Sequence, residues 1–206
     1  MTAHAPGTSV RFPGAAFDIV ALAASAGGLQ ALSCVLAGLP ASFPAATVVV
    51  QHLDPRHRSL IADILGRRTA LKVREAREGD VLTAGVVFTA PPNRHLLVNP
   101  DATLSLSQSE LVHFVRPSAD LLFESVAASF RDRAIAVVLS GMGVDGAMGL
   151  RAVRKMGGTI IVQDEATSEF FGMPGAAIGT GTANFILPLD EIAAALSTLV
   201  ESRSDA

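Results

Sequence analysis

The sequence has only one cysteine, Cys34, and it has no excess of basic residues. A single cysteine cannot form an internal disulfide, which argues against a disulfide-stabilised secreted domain and fits a reducing compartment. The chain has 16 Lys and Arg residues against 19 Asp and Glu residues, so it lacks the positive field that holds a nucleic-acid backbone. We therefore expect a cytoplasmic protein without nucleic-acid partners, in which Cys34 is a buried packing residue.

Long apolar runs are also missing. No stretch approaches 18 uninterrupted apolar residues, so we expect no membrane insertion. Arg11 precedes an apolar run that ends in ALAAS, as in a secretory signal, but Pro13 and Asp18 interrupt that run. Residues 1–16 show no hydrophobic periodicity and are rich in Pro, Gly, Ser and Thr, which predicts a flexible tail, and we expect a second, short tail at residues 203–206.

The residues from 17 to 202 suit one α/β domain. Apolar residues make up 50% of the chain and charged residues 17%, as expected when the strands of a sheet are covered on both faces. Short β-branched runs alternate with helical segments, which is typical of a parallel sheet. Strands are predicted at 17–23, 46–51, 71–76, 134–140, 159–164 and 184–188, and helices at about 28–38, 59–68, 116–130, 147–158 and 189–202.

The stretch 85–107 breaks this alternation. It contains two short apolar runs joined by the Asn-Pro-Asp turn at 99–101, which predicts an antiparallel hairpin. The predicted fold is therefore a three-layer α/β/α domain with a doubly wound, mostly parallel sheet and one antiparallel β-hairpin.

Three polar residues follow predicted buried strands. Ser25 ends the first strand in LAASAGG (22–28), His52 follows the second, and Asp145 lies in GMGVDG (141–146). Ligands gather at the carboxyl ends of the strands in a parallel sheet, so we expect these residues at one edge. Each type also has an ordinary structural role, because serine caps helices, histidine at a strand end is often a satisfied polar residue, and Asp-Gly forms turns.

Together the three types fit nucleophilic catalysis. A serine hydroxyl needs a base to take its proton, imidazole suits that task at neutral pH, and a carboxylate orients the imidazole and stabilises its charged form. The glycines near Ser25 and Asp145 leave room for a carbonyl carbon and for N–H groups that face an oxyanion. The residue pattern by itself leaves the Ser/His/Asp site and the ordinary structural roles both open.

Two other constellations are weaker. HLDPRH (52–57) offers two histidines and an aspartate, which are zinc-binding types, but its proline disfavours a helix between them and no further ligand cluster completes a site. The turn at Ser25 resembles a phosphate-binding loop, but AASAGG lacks the G-x-G-x-x-G spacing and the second strand ends in Gln51 rather than an acidic residue. We expect neither a metal nor a nucleotide.

Six stretches carry a resemblance to a known family: ASAGGLQAL (24–32), VVVQHLDP (48–55), APPNRHLLV (90–98), VRPSADLLFESVA (115–127), VVLSGMGVDGAMGLRAVRKMGG (137–158) and MPGAA (173–177). In this order they resemble the catalytic domain of the chemotaxis protein-glutamate methylesterases, the CheB family. The resemblance covers about residues 17–202, and the Gly-Met-Gly-x-Asp-Gly block is highly specific.

The resemblance implies hydrolysis of glutamate γ-methyl esters on the cytoplasmic helical domains of chemoreceptors, with release of methanol and with deamidation of certain receptor glutamines. Two-component signalling proteins are further candidate partners, and no metal or organic cofactor is implied. Ser25 matches the family nucleophile, His52 the general base and Asp145 the orienting carboxylate. Met142 matches the residue whose main-chain N–H belongs to the oxyanion hole, and the other candidates for oxyanion or substrate contacts are Ala26, Gly27, Gly141, Gly143 and Arg94.

Some features depart from the family pattern. Ala24 replaces a glycine often found before the nucleophile, and Ala26 stands where many members carry a threonine, which puts the contacts of that hydroxyl in question. Full-length members also carry an N-terminal phosphoacceptor receiver domain, whereas about 16 residues precede the first predicted strand here. We expect this chain to lack that domain and to lack control by phosphorylation within the chain.

Basic residues close to the base or in nearby loops predict a collar that attracts glutamate-rich helices, although solvated surface is their ordinary role. They are Arg56, His57, Arg58, Arg94 and Arg116. The alternatives to a chemoreceptor methylesterase are a non-catalytic signalling or interaction module and an esterase that acts on another protein.

Overall fold

The computed structural model describes residues 17–52 and 59–201. The tails predicted at 1–16 and 203–206 lie outside these ranges. The strands are β1 (Ile19–Ala24), β2 (Ala46–Gln51), β3 (Lys72–Glu75), β4 (Val86–Thr89), β5 (His95–Val98), β6 (Leu104–Ser107), β7 (Ala134–Val138), β8 (Thr159–Gln163) and β9 (Phe185–Leu187). The α-helices are α1 (Gly28–Ala37), α2 (Ile61–Gly66), α3 (Ala119–Phe130), α4 (Ala147–Lys155), α5 (Gly172–Gly179) and α6 (Leu189–Glu201).

Seven strands form a parallel sheet in the order β3-β4-β2-β1-β7-β8-β9. Strand β1 pairs with β2 on one side and with β7 on the other, so the direction of winding reverses at β1. A crevice forms outside the carboxyl ends of the strands at such a reversal. The predicted doubly wound, mostly parallel sheet is confirmed.

Helices cover both faces of this sheet, because the central strands are apolar on both sides. Ile19, Ala21 and Ala23 of β1 belong to one buried cluster with α3, α4 and α5. Val20 and Leu22 belong to a second cluster with α1, α2 and α6. The two-residue period of a strand sends alternate side chains to opposite faces, and this produces the three layers.

The predicted antiparallel hairpin is formed by β5 and β6, which pack against α3. The sequence predicted two strands in the stretch 85–107, but the structure has three. Val86–Thr89 forms β4 and joins the main sheet between β3 and β2, where Val87 and Phe88 are fully buried. Helix α5 was not predicted, because its sequence GMPGAAIG contains glycine and proline and has a low helix propensity.

Cys34 is half-buried on α1, whereas the sequence analysis predicted a buried residue. Its neighbours Ser33 and Val35 lie on the buried face of the helix, so Cys34 is at the border of that face. Among residues 17–52 and 59–201, no helix is both long enough and apolar enough to cross a membrane.

A buried ion pair joins the amino ends of β1 and β7. The Asp18 carboxylate is fully buried and accepts hydrogen bonds from Arg133 Nε and Nη2, and the Asp18 N–H donates to the Arg133 carbonyl oxygen at 3.0 Å. The hydrogen bond to Asp18 raises the pKa of Arg133, so the buried guanidinium stays charged. The pair therefore contributes to stability only while both of its members are present.

Replacing Asp18 with alanine is expected to lower the free energy of unfolding by about 3–5 kcal/mol, because the variant keeps a buried guanidinium but removes the carboxylate that offsets its charge. Urea denaturation measures this loss. The control is Arg74→Met, which breaks the pair of the half-exposed Arg74 with Asp80 (3.3 Å) and the contact of the Arg74 guanidinium with the Phe88 ring (4.7 Å to the centroid). It is expected to cost about 1–2 kcal/mol. Equal losses in the two variants would contradict the role of Asp18.

Candidate functional site

The three residues singled out in the sequence lie where neighbouring central strands end. Ser25 follows β1, His52 follows β2, and Asp145 lies in the loop after β7. Because β2, β1 and β7 are adjacent and parallel, their following loops emerge at the same edge of the sheet. The order of the strands therefore brings the three residues to one edge.

Asp145 and His52 are in direct contact. Asp145 Oδ2 lies 2.8 Å from His52 Nε2, and the two side chains are 3% and 11% exposed. An ionised carboxylate can only accept, so Nε2 carries the proton in this contact. His52 Nδ1 has no partner among the described residues, and it is the ring nitrogen that can accept a proton.

Asp145 is held at the N-terminus of α3. Its Oδ1 accepts from the Ser118 hydroxyl (2.8 Å) and from the Asp120 N–H (3.2 Å), and its Oδ2 also accepts from the Ala119 N–H (2.6 Å). The first N–H groups of a helix have no acceptor within the helix, and the carboxylate satisfies two of them. The position of Asp145 therefore depends on α3 as well as on its own loop.

These contacts set the charge of Asp145. Burial by itself raises the pKa of the carboxyl, but hydrogen bonds from His52, the Ala119 N–H and the Ser118 hydroxyl outweigh burial and bring the pKa below its usual range. The neighbouring Asp120 has the opposite shift, because burial raises its pKa. Asp145 is thus ionised at neutral pH and can stabilise a positive charge on His52.

His95 supports this arrangement from behind Ser118. The Ser118 N–H donates to His95 Nδ1 (3.1 Å), and His95 Nε2 lies 3.0 Å from the Glu110 carbonyl oxygen. Since Nδ1 accepts and Nε2 must donate to a carbonyl, the ring is neutral. Burial lowers the pKa of His95, which favours the same state. Ser118, whose hydroxyl binds Asp145, is therefore itself held in place by His95.

Ser25 lies on the tight turn between β1 and α1. Its N–H donates to the Ser140 carbonyl oxygen (3.0 Å), and its own carbonyl oxygen accepts from the Gly28 N–H (2.8 Å). Gln51 Nε2 donates to the carbonyl oxygens of both Ser25 (2.7 Å) and His52 (3.1 Å). One side chain thus ties the main chains of Ser25 and His52 together.

The Ser25 hydroxyl forms no hydrogen bond to His52 or to any other residue that the structure describes. Catalytic hydrogen bonds are often long or poorly aligned before substrate binds. In the structure, His52 is thus hydrogen-bonded to Asp145. Ser25 lies at the same edge of the sheet, but its hydroxyl is not hydrogen-bonded to the His52 imidazole.

The glycine-rich loop after β7 packs directly on Ser25. A Cβ added to Gly141 would lie 3.0 Å from Ser25 Cβ and would also meet Met173 Sδ, so only glycine fits there. Several main-chain N–H groups in the two loops have no acceptor among the described residues, and such groups are suitable donors for an oxyanion. They belong to Ala26, Gly27, Met142 and Gly143.

A cavity of about 130 Å³ opens beside His52. Its apolar wall consists of Leu111, Phe114, Val115 and Pro117, and its polar wall of Asn93 and Arg116. This mostly apolar wall suits an aliphatic side chain. Ser25 is not among the described residues that line the cavity.

Arg94 and Arg116 are the members of the predicted basic collar that the structure describes. The Arg116 guanidinium donates to Asn93 Oδ1 and to the carbonyl oxygens of Gln108 and Ser109 at 2.6–3.0 Å. Arg94 is exposed and is not among the described residues that line the cavity. The other members, Arg56, His57 and Arg58, lie outside the described residues, so the collar stays a prediction.

The zinc alternative also depends on residues outside the described ranges, because they include two of its three potential ligands, Asp54 and His57. Within residues 17–52 and 59–201, no group of three or more His, Cys, Asp or Glu side chains is placed to hold a metal ion.

Sequence reasoning did not assign Gln51, Ser118 and Ser140 to this site. The sequence predicted a helix at 116–130, but not that the hydroxyl of Ser118 bonds Asp145, 27 residues away. Ser140 Oγ donates to the Ala26 carbonyl oxygen (2.9 Å) and accepts from the Phe170 N–H (3.0 Å). No local pattern signals these contacts, because their partners come from distant parts of the chain.

Comparison with known proteins gives consistent matches. The family model described as CheB methylesterase matches residues 20–196. A protein-glutamate methylesterase/protein-glutamine glutaminase of Burkholderia orbicola is 47% identical over 175 residues, which is 85% of this chain and 52% of that protein. The protein-glutamate methylesterase FrzG of Myxococcus xanthus is 42% identical over 185 residues, which is 90% of this chain and 55% of that protein. The chain thus spans about half the length of these curated relatives.

A solved structure matches as well. The CheB methylesterase catalytic domain of Thermotoga maritima superposes with a TM-score of 0.86 at 36% sequence identity, and the match covers 90% of this chain and 100% of that one. The mostly parallel sheet with flanking helices and a small antiparallel hairpin is therefore shared with that domain.

Proposed function

The chain belongs to the CheB methylesterase family, and from this premise we propose that it hydrolyses glutamate γ-methyl esters on the cytoplasmic helical domains of chemoreceptors. The contact of His52 Nε2 with Asp145 Oδ2 at 2.8 Å carries the proposal, because it pairs a base with an ionised carboxylate at the edge that bears Ser25. The enzyme would act in the cytoplasm, where these receptor domains and two-component signalling proteins lie.

Acylation begins with attack of Ser25 Oγ on the ester carbonyl carbon. His52 Nδ1 takes the hydroxyl proton, and Asp145 stabilises the imidazolium that forms. The carbonyl oxygen becomes an oxyanion, and the N–H groups of Met142 and its neighbours are the donors proposed to stabilise it. Collapse of this intermediate breaks the bond to the methoxy oxygen, which takes the proton from His52 and leaves as methanol.

Deacylation repeats these steps with water. His52 takes a proton from water as the water oxygen attacks the acyl carbon, and it then returns the proton to Ser25 Oγ as the acyl bond breaks. The products are a free glutamate side chain and the regenerated serine. No metal or organic cofactor enters either half of the reaction.

The same steps can hydrolyse a glutamine amide, with ammonia as the leaving group in place of methanol. The printed names of several relatives include protein-glutamine glutaminase. We include deamidation of receptor glutamines in the proposal on that ground, and a mass increase of about 1 Da per converted glutamine would detect it.

Methanol release tests the proposal. Receptor membranes carrying radiolabelled methyl esters are incubated with the protein, and volatile label is collected over time. We expect steady release with the native protein and none with heat-denatured protein. Absence of release would overturn the proposal. In that case labelling of Ser25 by a sulfonyl fluoride would favour an esterase with another protein target, and absence of labelling would favour a non-catalytic module.

A further inference from the structure

A tight hairpin beside the cavity, residues 112–115, has a backbone that its residues do not favour. Val112 and Val115 exchange hydrogen bonds of 3.2 and 2.9 Å, and the two residues between them, His113 and Phe114, have φ values of 49° and 64°. A turn with two successive positive φ values normally uses glycine, asparagine or aspartate. Histidine and phenylalanine in this conformation cost free energy of folding.

Packing does not offset this cost within the described chain. Phe114 is 95% exposed, the highest value among the exposed large apolar side chains of the described residues. A large aromatic side chain in water is typical of a binding surface and unusual for a turn whose only role is to connect. A function that needs an aromatic residue at this point explains both its strain and its exposure.

Phe114 is adjacent to the proposed base. It lines the same cavity as His52, together with Leu111, Val115 and Pro117. A glutamate ester on a protein must bring its carbonyl carbon to the edge where Ser25 and His52 lie. A polypeptide that brings its ester to His52 can reach the hairpin, because Phe114 lines the same cavity. The protein substrate is therefore a molecule that can cover Phe114.

The hairpin is held in place by contacts on both sides. On one side, the Arg116 guanidinium bonds Asn93 and two carbonyl oxygens at 2.6–3.0 Å. On the other, His113 Nε2 lies 3.1 Å from Asp120 Oδ2, and the Asp120 N–H donates to Asp145. These contacts order the hairpin before substrate binds, which lowers the entropic cost of using it as a contact surface.

We propose that the hairpin 112–115 recognises the protein substrate, with Phe114 packed against an apolar side chain that lies next to the esterified glutamate. This role rests on the proposed methylesterase function. Phe114 would contact the polypeptide next to the ester, which a small ester lacks. Four of the five N–H donors of Arg116 bind neutral oxygens within the protein, and the contact proposed for Phe114 is apolar.

Phe114→Ala tests this role with two substrates. We expect kcat/KM for methylated receptor membranes to fall about 10- to 30-fold, the loss that follows removal of an aromatic anchor from an interface. Hydrolysis of p-nitrophenyl acetate is expected to fall clearly less than hydrolysis of the receptor ester, because p-nitrophenyl acetate lacks the polypeptide that Phe114 is proposed to contact. The matched control is Phe185→Ala, which removes a partly exposed phenylalanine from β9, at the edge of the sheet, and is expected to change neither rate.

Phe114→Gly separates recognition from a structural role. Glycine adopts positive φ without strain, so this variant is expected to be at least as resistant to thermal unfolding as the native protein. It is nevertheless expected to lose kcat/KM for the receptor ester as Phe114→Ala does. A residue with only a structural role would not combine unchanged or higher stability with lower activity on one substrate.

Three results would overturn the inference. Unchanged kcat/KM for the receptor ester in Phe114→Ala would refute it and leave the methylesterase function intact. Equal losses for the receptor ester and p-nitrophenyl acetate would show that the hairpin supports the reacting groups and does not select the substrate. Absence of methanol release by the native protein would overturn the proposed function and, with it, this role of Phe114.

Discussion

Replacing Ser25 with alanine is expected to lower the rate of methyl-ester hydrolysis by at least about 10³-fold, as for removal of the nucleophile of a Ser/His/Asp triad. The hydroxyl forms no hydrogen bond among the described residues, and the turn is held by the Ser25 N–H and carbonyl groups, which alanine keeps. The free energy of unfolding is therefore expected to change by less than about 0.5 kcal/mol. Methanol release and urea denaturation measure the two quantities.

Ser33→Ala is the matched control for this variant. Ser33 lies on α1, the helix that begins after the Ser25 turn, and its hydroxyl donates to the Leu29 carbonyl oxygen at 2.7 Å. It has no role in the proposed reaction, so the rate of methanol release should stay close to that of the native protein. Equal rates for native protein and Ser25→Ala would show that Ser25 is not the nucleophile.

Asp145→Asn is expected to lower kcat by about 10⁴-fold, the effect of the equivalent change in a serine protease triad. An asparagine amide carries no charge to stabilise the imidazolium at His52. It also has only one oxygen for the groups that donate to the carboxylate, so its Nδ2 must face the N–H of Ala119 or Asp120. Steady-state kinetics on methylated receptor membranes measures the loss, and we expect it in kcat more than in KM.

Asp120→Asn is the control, because Asp120 is a neighbouring buried carboxylate that bonds the Gly149 N–H and His113 and makes no bond to His52. It is expected to keep a kcat close to the native value. Because Asp120 also holds the hairpin 112–115 through His113, any loss is expected in KM. A loss in Asp120→Asn as large as in Asp145→Asn would point to a general disturbance of α3 rather than to a role of Asp145 at His52.

The pH dependence of the unfolding free energy, compared between the native protein and Asp145→Asn, gives a second test of the role of Asp145. Its pKa is lower in the folded chain than in the unfolded chain, so its ionised form stabilises the fold above the unfolded pKa, near pH 4. That contribution is lost as pH falls through the lower, folded pKa. Asparagine does not titrate, so the unfolding free energy of Asp145→Asn should fall less steeply below about pH 4 than that of the native protein.

The hairpin stretch shows how far local patterns can predict this fold. The turn at 99–101 carries its own signal, and β5 and β6 form around it as expected. Val86–Thr89 is a run of four residues that fits a hairpin strand as well as a central strand. Its place in the main sheet as β4 is decided by its pairing with β2 and β3. These strands are distant in the sequence, so the pairing cannot be predicted from the residues of 86–89 and their neighbours.

The candidate site divides in the same way. The residue pattern was enough to single out Ser25, His52 and Asp145 as polar residues that follow buried strands, and the family resemblance added the roles expected of them. The N-terminus of α3, which binds the Asp145 carboxylate, and Gln51, which joins Ser25 to His52, were not predicted. Hydrogen-bond partners outside regular secondary structure are chosen by packing, so they can be read only from the folded chain.

The sequence by itself determined the alternation of strands and helices, their approximate bounds and the placing of three reactive side-chain types after apolar strands, because hydrophobic periodicity and turn chemistry act over a few residues. The tertiary structure decided the order β2-β1-β7, the contact between His52 and Asp145, which are 93 residues apart, and the exposure of Phe114 beside the cavity. These features depend on which distant segments bury one another, and that choice is made by the whole core at once.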